Sequence, residues 1–191
     1  MPQARILVFA GSTAPAAAAS RLAAAFAREL AFLDADVTLI SLADYSLPLH
    51  DPDAPRPQVP IAAAKLRSLL KGHHAAFIAT PEINGSVPAL LKNVVDWLEE
   101  EELPFRPLSG RIFALGSVSA DGSGGRLALA HLRAMLADGL AATIVGRGLA
   151  IGDADSSFDD KGRLDDPRQA AAMQALAREL VFVARRLAAE P

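Results

Sequence analysis

The sequence predicts an α/β protein, a parallel β-sheet of five strands in the order 2-1-3-4-5 with helices on both faces. Three observations predict it. Strand-like and helix-like segments alternate from end to end, the pattern of a covered parallel sheet. Five such βα units with short first loops fit that strand order. Neither an internal repeat nor a linker divides the chain, so residues 1–191 are expected to form a single domain, a length that buries roughly 70% of the unfolded chain's surface.

The first strand is expected at Arg5 to Ala10, and helix one follows from about Ala16 to Leu33, with Leu22, Phe26, Leu30 and Leu33 spaced to line one face. Strand two is Val37 to Leu42, and a Pro- and Asp-rich loop from Ala43 to Val59 is too proline-broken for a regular element. Helix two covers about Ile61 to Leu70 and stops near Gly72, a residue suited to the C′ position. Strand three is Ala75 to Thr80, and helix three runs from about Pro88 to Glu101, with the proline in a first turn where its missing N–H costs nothing. Strand four is Arg111 to Ser117. The glycine-rich loop Ser119 to Gly125 then leads into helix four, about Arg126 to Asp138. A fifth strand lies at Ala142 to Val145 with a continuation towards Ile151, and after the loop Asp153 to Pro167 a last helix spans about Arg168 to Ala188.

Composition narrows the function. Apolar residues make up 51% of the chain and charged ones 21%, which marks a globular protein. With a formal net charge of −3 and no Lys/Arg block longer than two residues, nucleic acid is not expected as a partner. There is no cysteine, which excludes disulfides, thiolate chemistry and Cys-bound metal or iron–sulfur centres. The apolar run Ile6 to Ala10 is too short for a signal core, and no uncharged apolar run approaches a membrane span. No membrane association and a cytoplasmic location are expected.

The most informative stretch is Thr80 to Leu98. A buried-strand run passes at once into a turn holding Pro81, Glu82, Ile83, Asn84 and Gly85, and then into helix three. Loops beyond the C-terminal ends of strands are where open α/β sheets bind ligands, and such turns present backbone N–H groups to planar or anionic groups. Here the sequence resembles the P-E-Y-N-x-S-x-P-x-x-L-K-N-x-x-D-W signature of the NAD(P)H-dependent FMN reductases, which include chromate, azo-dye and quinone reductases. Ile83 stands where that family has Tyr. The resemblance extends to Leu47-Pro48-Leu49 before an acidic turn, to Gly124-Gly125 opening a helix with His131-Leu132-Arg133, and to Phe158-Asp159-x-x-Gly162-x-Leu164. It implies a flavodoxin-like three-layer sandwich in which three loops meet. Gly11, Ser12 and Thr13 would hold the FMN phosphate, while Pro81 to Gly85 and the stretch with Ser117, Ser119, Gly122 and Gly125 would hold the isoalloxazine ring.

The phosphate loop departs from the family pattern. Where the family reads G-S-x-R-x-x-S-x-N, this chain runs from Gly11 and Ser12 to Ala14, Ala17 and Ala19, so an Arg, a Ser and an Asn are replaced by alanine. Pro15 removes one further N–H. The three absences together cost about 2.5–6 kcal/mol, or roughly two to four decades of FMN affinity. Ser20 and Arg21, one turn on, are placed to reach forward.

What the resemblance implies is an oxidoreductase that passes a hydride from NAD(P)H through FMN to a small two-electron acceptor, such as a quinone or a flavin, with ping-pong kinetics. The flavin supplies the redox chemistry, so no catalytic acid is assigned, and no metal. The resemblance also implies a homodimer or homotetramer, with the Phe158 to Leu164 segment placed to cover a neighbouring subunit's site. A rival reading is a flavodoxin-like binding or scaffold protein that has lost tight FMN binding. Elsewhere, His50 belongs to a solvated Asp-Pro-Asp turn, His131 to a half-buried helix face, and the Glu99 to Glu102 run to a solvated helix end. Asp96 and Trp97 are expected in packing or subunit contacts.

Overall fold

The computed structural model describes residues 3–53, 59–100 and 106–189. The expected end of helix three at Glu101, Glu102 of the Glu99 to Glu102 run and part of the 43–59 loop lie outside them. Strands β1 (Arg5–Ala10), β2 (Asp36–Ile40), β3 (Ala75–Pro81), β4 (Ile112–Val118), β5 (Thr143–Ile144) and β6 (Leu149–Ile151) alternate with helices α1 (Ala18–Phe32), α2 (Ile61–Gly72), α3 (Ala89–Glu99), α4 (Arg126–Arg133) and α5 (Pro167–Ala188). All strand pairs are parallel, in the order β2-β1-β3-β4-β5, with β6 also on β4.

The expected fifth strand is present but broken, so the sheet has six strands instead of five. β5 pairs with Ile112 and Phe113, and β6 with Gly116 to Val118, so both pieces run along one neighbour. The break falls at Gly146 and Gly148, whose φ values of 65° and 82° belong to no strand. Strand two also ends early. At Ser41 the hydroxyl accepts the Ala43 N–H at 3.2 Å and turns Leu42–Asp44 into a short 3₁₀ turn. α4 keeps its expected length only by widening into a π-helical stretch over Ala134–Gly139.

Side-chain alternation along the strands builds two cores. Ile6, Val8, Phe77 and Ala114 face α1 and α5, while Leu7, Phe9, Ile78 and Leu115 face α2, α3 and α4. On the first face the rings of Phe26 and Phe77 stack with centroids 3.8 Å apart. A Cβ at Gly116 would stand 2.9 Å from both Phe77 and Leu22, so glycine there makes room for the stack. Buried Arg67 donates to the carbonyls of Trp97, Leu98 and Glu100, a cation on the negative end of α3.

The loop after β2 is pinned to α3. Asn93 Nδ2 and Trp97 Nε1 both donate to Pro48 O, at 2.9 and 2.7 Å, and the His50 N–H donates to Asn93 Oδ1 at 2.7 Å. His50 Nε2 lies 2.6 Å from Glu100 Oε2, and its ring meets Trp97 edge-on. His50 is therefore part of a packed polar cluster and not of a solvated turn, and Trp97 packs within its own chain.

Candidate functional site

The C-terminal ends of β1, β3 and β4 lie side by side, with Ala10 opposite Ala79, Thr80 opposite Ser117 and Pro81 opposite Val118. The loops that follow are bonded to one another. Gly11 donates its N–H to Ala79 O at 2.7 Å, and Glu82 its N–H to Val118 O at 3.0 Å. Gly11 is buried against α3, where a Cβ would come within 3.1 Å of Leu91.

Residues 83–86 form a tight reverse turn. Ile83 N–H donates to Ser86 O at 2.9 Å, and Ser86 N–H returns a 3.0 Å bond to Ile83 O. The two central residues, Asn84 and Gly85, have φ of 51° and 74°, the conformation of a type I′ turn and the reason for Asn-Gly at this place. The Ile83 N–H is thus committed inside the turn. Those of Asn84 and Gly85 have no acceptor among the described residues and sit on the exposed surface.

Glu82 does not face the open site with its carboxylate. Its Oε2 accepts the N–H groups of Leu127 and Ala128 at 3.0 and 3.1 Å, so it serves as the cap of α4 from another loop. Gly125, the N-cap residue of α4, has φ 67° and leaves no side-chain cap of its own. A Cβ there would meet Val118 O at 2.9 Å, and one on Gly124 would meet the Ala150 carbonyl carbon at 2.8 Å. The two glycines let α4 start directly against the sheet edge.

The loop after β4 is held by its own hydroxyls. Ser117 is fully buried and donates to Gly124 O at 2.7 Å. Ser119 donates its N–H to Ile151 O at 3.1 Å and directs its hydroxyl to Asp121 Oδ1 at 2.8 Å. Asp121 also accepts the N–H and hydroxyl of Ser123, at 3.0 and 2.5 Å. The Ser123 hydroxyl first, then that of Ser119, hold the Asp121 carboxyl below the usual aspartate value. Ser117 and Ser119 thus shape the loop from inside. The N–H groups of Ala120 and Gly122 have no acceptor among the described residues, and both residues are exposed, while the Asp121 N–H turns to its own carboxylate.

Two residues that the sequence did not single out for the site complete it. Leu127 is 63% exposed and lies against Gly85, and Ile83, across the same turn, is 50% exposed. His131 is exposed, not half-buried, with Nδ1 2.6 Å from Ser86 Oγ. Leu127 and His131 stand four residues apart on one face of α4, a spacing visible in the sequence once the start of α4 is placed beside the turn.

In the first loop, Ser12 Oγ accepts the Ala14 N–H at 3.3 Å, Ser20 donates to Ala14 O at 2.8 Å, and Thr13 is exposed. The N-cap of α1, Ala17, provides no side-chain bond, and the N–H groups of residues 18–20 have no acceptor among the described residues. Such a helix start suits an anion. Arg21 turns away from it: its guanidinium lies over the Phe158 ring at 4.7 Å and donates to Phe158 O. The Phe158 to Leu164 segment folds back on its own α1, with Arg28 bonded to Gly162 O. Among the described residues no group of three or more metal-ligating side chains occurs, and no helix is long and apolar enough to cross a membrane.

Comparison with known proteins bears on the family and the fold. The model of the NADPH-dependent FMN reductase family matches residues 4–156. An NAD(P)H-dependent FMN reductase of Pseudomonas aeruginosa is 33% identical over 149 residues, which are 78% of this chain and 80% of that protein. A quinone reductase of Escherichia coli is 36% identical over 99 residues, about half of either chain at 51% and 50%. Among solved structures, the flavoenzyme FerB of Paracoccus denitrificans, an NAD(P)H:acceptor oxidoreductase, superposes with a TM-score of 0.77 at 21% identity, covering 96% of this chain and 98% of that one. An archaeal flavodoxin matches with a TM-score of 0.61 at 15% identity, covering 96% and 98%.

Proposed function

The chain belongs to the NADPH-dependent FMN reductase family, a family of oxidoreductases, and from that premise we propose that it carries electrons from NAD(P)H by way of FMN to a small two-electron acceptor such as a quinone or a free flavin. We place the FMN across the loops that follow β1, β3 and β4. The protein acts as one domain, in the cytoplasm, as a homodimer or homotetramer.

The observation that carries this reading is the pair of joined turns. Four exposed peptide N–H groups, at Asn84, Gly85, Ala120 and Gly122, lack acceptors among the described residues, on loops bonded together through Glu82. The residues fit FMN well at the ring end and less well at the phosphate end. When bound, FMN supplies the two-electron chemistry.

The chain's own contribution is positional and electrostatic. The N–H groups of Asn84, Gly85 and Gly122 are donors held ready for negative charge on a bound ring. Ile83 and Leu127 give apolar surface on either side of the Asn84–Gly85 turn. Thr13, Ser12 and the N–H groups of residues 18–20 are what remains to hold a phosphate, in place of the Arg, Ser and Asn of the family pattern. We therefore propose that FMN exchanges freely and behaves as a weakly held partner.

A steady-state assay tests the reading. The purified protein, a quinone and NADPH are expected to give a rate that rises and saturates with added FMN. No NADPH or NADH consumption at any FMN concentration would contradict it and favour a binding or scaffold role.

A further inference from the structure

At the opposite edge of the sheet, where β3 and β4 begin, lies a cleft of about 380 Å³ whose wall includes Lys71, His73, His74, Arg106, Ser109 and Arg111. No Asp or Glu is among the described residues lining it, although the chain as a whole carries a formal charge of −3. The end of α2 and the link to β3 provide one wall, and the segment entering β4 provides the other.

Most of these groups have structural duties. Arg106 donates to Gly139 O at 3.0 Å, and its Nε lies 3.9 Å from Glu99 Oε2. His73 Nδ1 is 2.6 Å from Leu69 O and so carries the proton, with Nε2 2.8 Å from Thr38 Oγ1. His74 Nδ1 accepts the Arg5 N–H at 2.9 Å, which puts the proton of the neutral ring on Nε2. Burial first, then the positive charges of Arg5 and His73, hold the His74 pKa below its ordinary value.

Arg111 differs from the rest. It is half-buried, yet its guanidinium has no hydrogen bond or ion pair to any described residue. Its five donors, unpaired among the described residues, are free to take an acceptor that enters the cleft. The Ser109 hydroxyl, which has no partner among the described residues, adds a neutral donor to the same wall.

We propose that this cleft is a second binding site, for a small phosphate-class anion held chiefly by the Arg111 guanidinium, with Ser109 and His74 as supporting donors. The inference is independent of the FMN reading, since the cleft and the candidate site lie at opposite ends of the strands.

Calorimetric titration with inorganic pyrophosphate, with and without excess FMN, tests it. Saturable binding of one anion per chain is expected, unaffected by FMN. Arg111→Gln should weaken it at least about tenfold, the loss of one charge-assisted bond. Arg111→Lys keeps the charge but not the planar fork, so its affinity should fall between the two, and circular dichroism confirms that both variants are folded. Adenosine 5′-monophosphate in place of pyrophosphate distinguishes sources: tighter binding points to a nucleotide ester and weaker binding to a free anion. No saturable binding in the millimolar range, displacement by FMN, or undiminished binding by Arg111→Gln would overturn the proposal.

Discussion

Glu82 is the residue on which the geometry of the site turns. One carboxylate oxygen joins the β3 turn to the first N–H groups of α4, and its own N–H is held by Val118 O. Glu82→Ala leaves two helix-start donors without that acceptor, and a loss of about 1–3 kcal/mol is expected, read as a lower urea midpoint at unchanged slope. An unchanged midpoint would show that water replaces the carboxylate at no cost. Gly125 is under a tighter constraint, because φ 67° and the 2.9 Å approach to Val118 O act together. Gly125→Ala should cost more than about 2 kcal/mol, and a thermal melt matching that of the parent protein would contradict the clash.

Local backbone conformation was more legible in the sequence than the duties of individual residues. Asn84 and Gly85 are legible because an Asn-Gly pair in a tight turn has one backbone solution. Ile83, Ser117 and Ser119 are expected ligand contacts whose N–H or hydroxyl groups bond within the protein to Ser86, Gly124 and Asp121. Such pairings depend on how closely the loops pack, which composition does not encode.

Among the elements, α1 begins at the loop to which the proposed reading assigns the phosphate. The three alanines at the departures from the family loop are not equivalent. Ala14 is exposed and Ala17 is the uncapped N-cap, but Ala19 is 1% exposed in the core beside α5. An Asn at Ala19 would therefore bury an amide, and the substitutions to make are Ala17→Ser and Ala14→Arg. Ala17→Ser should raise stability by about 1 kcal/mol by capping α1, read from chemical denaturation; no gain would mean the α1 start is already satisfied. Ala14→Arg should tighten FMN binding by about tenfold or more through one charge-assisted bond, and an unchanged FMN titration would place the phosphate elsewhere.

The broken fifth strand is legible only in part at this scale. Gly146 and Gly148 are visible in the sequence, but the close approach of neighbours that requires glycine there is not. A Cβ at Gly146 would stand 2.6 Å from Leu176 Cδ1, and one at Gly148 3.0 Å from Leu115 O. By contrast β1, β3 and β4 were legible almost to the residue, because strands buried on both faces are unbroken apolar runs.

For the molecule as a whole, strand order brings the three loops to one edge and the basic cleft to the other. It also gives an acid limit to stability. The Asp121 carboxyl is held below the usual value first by the Ser123 hydroxyl, and the Asp159 carboxyl first by the Arg163 backbone N–H. A depressed folded pKa means that this stabilisation is whole above the unfolded aspartate value and is lost as pH falls through the folded one. The loops at 119–125 and 158–164 should therefore loosen below about pH 4, before the strands of the core do. Amide exchange followed across that range checks the order of events; simultaneous loss of loops and core would contradict it.

The account rests on the C-terminal edge of β1, β3 and β4 being an FMN site with a weakened phosphate grip, and an equilibrium titration of the purified, dialysed protein with FMN tests this most directly. The predicted result is little flavin retained after dialysis, followed by saturable uptake of one FMN per chain that quenches flavin fluorescence and tightens in Ala14→Arg. Stoichiometric flavin surviving extensive dialysis would contradict the weakened grip, and absence of any saturable binding would contradict the site itself.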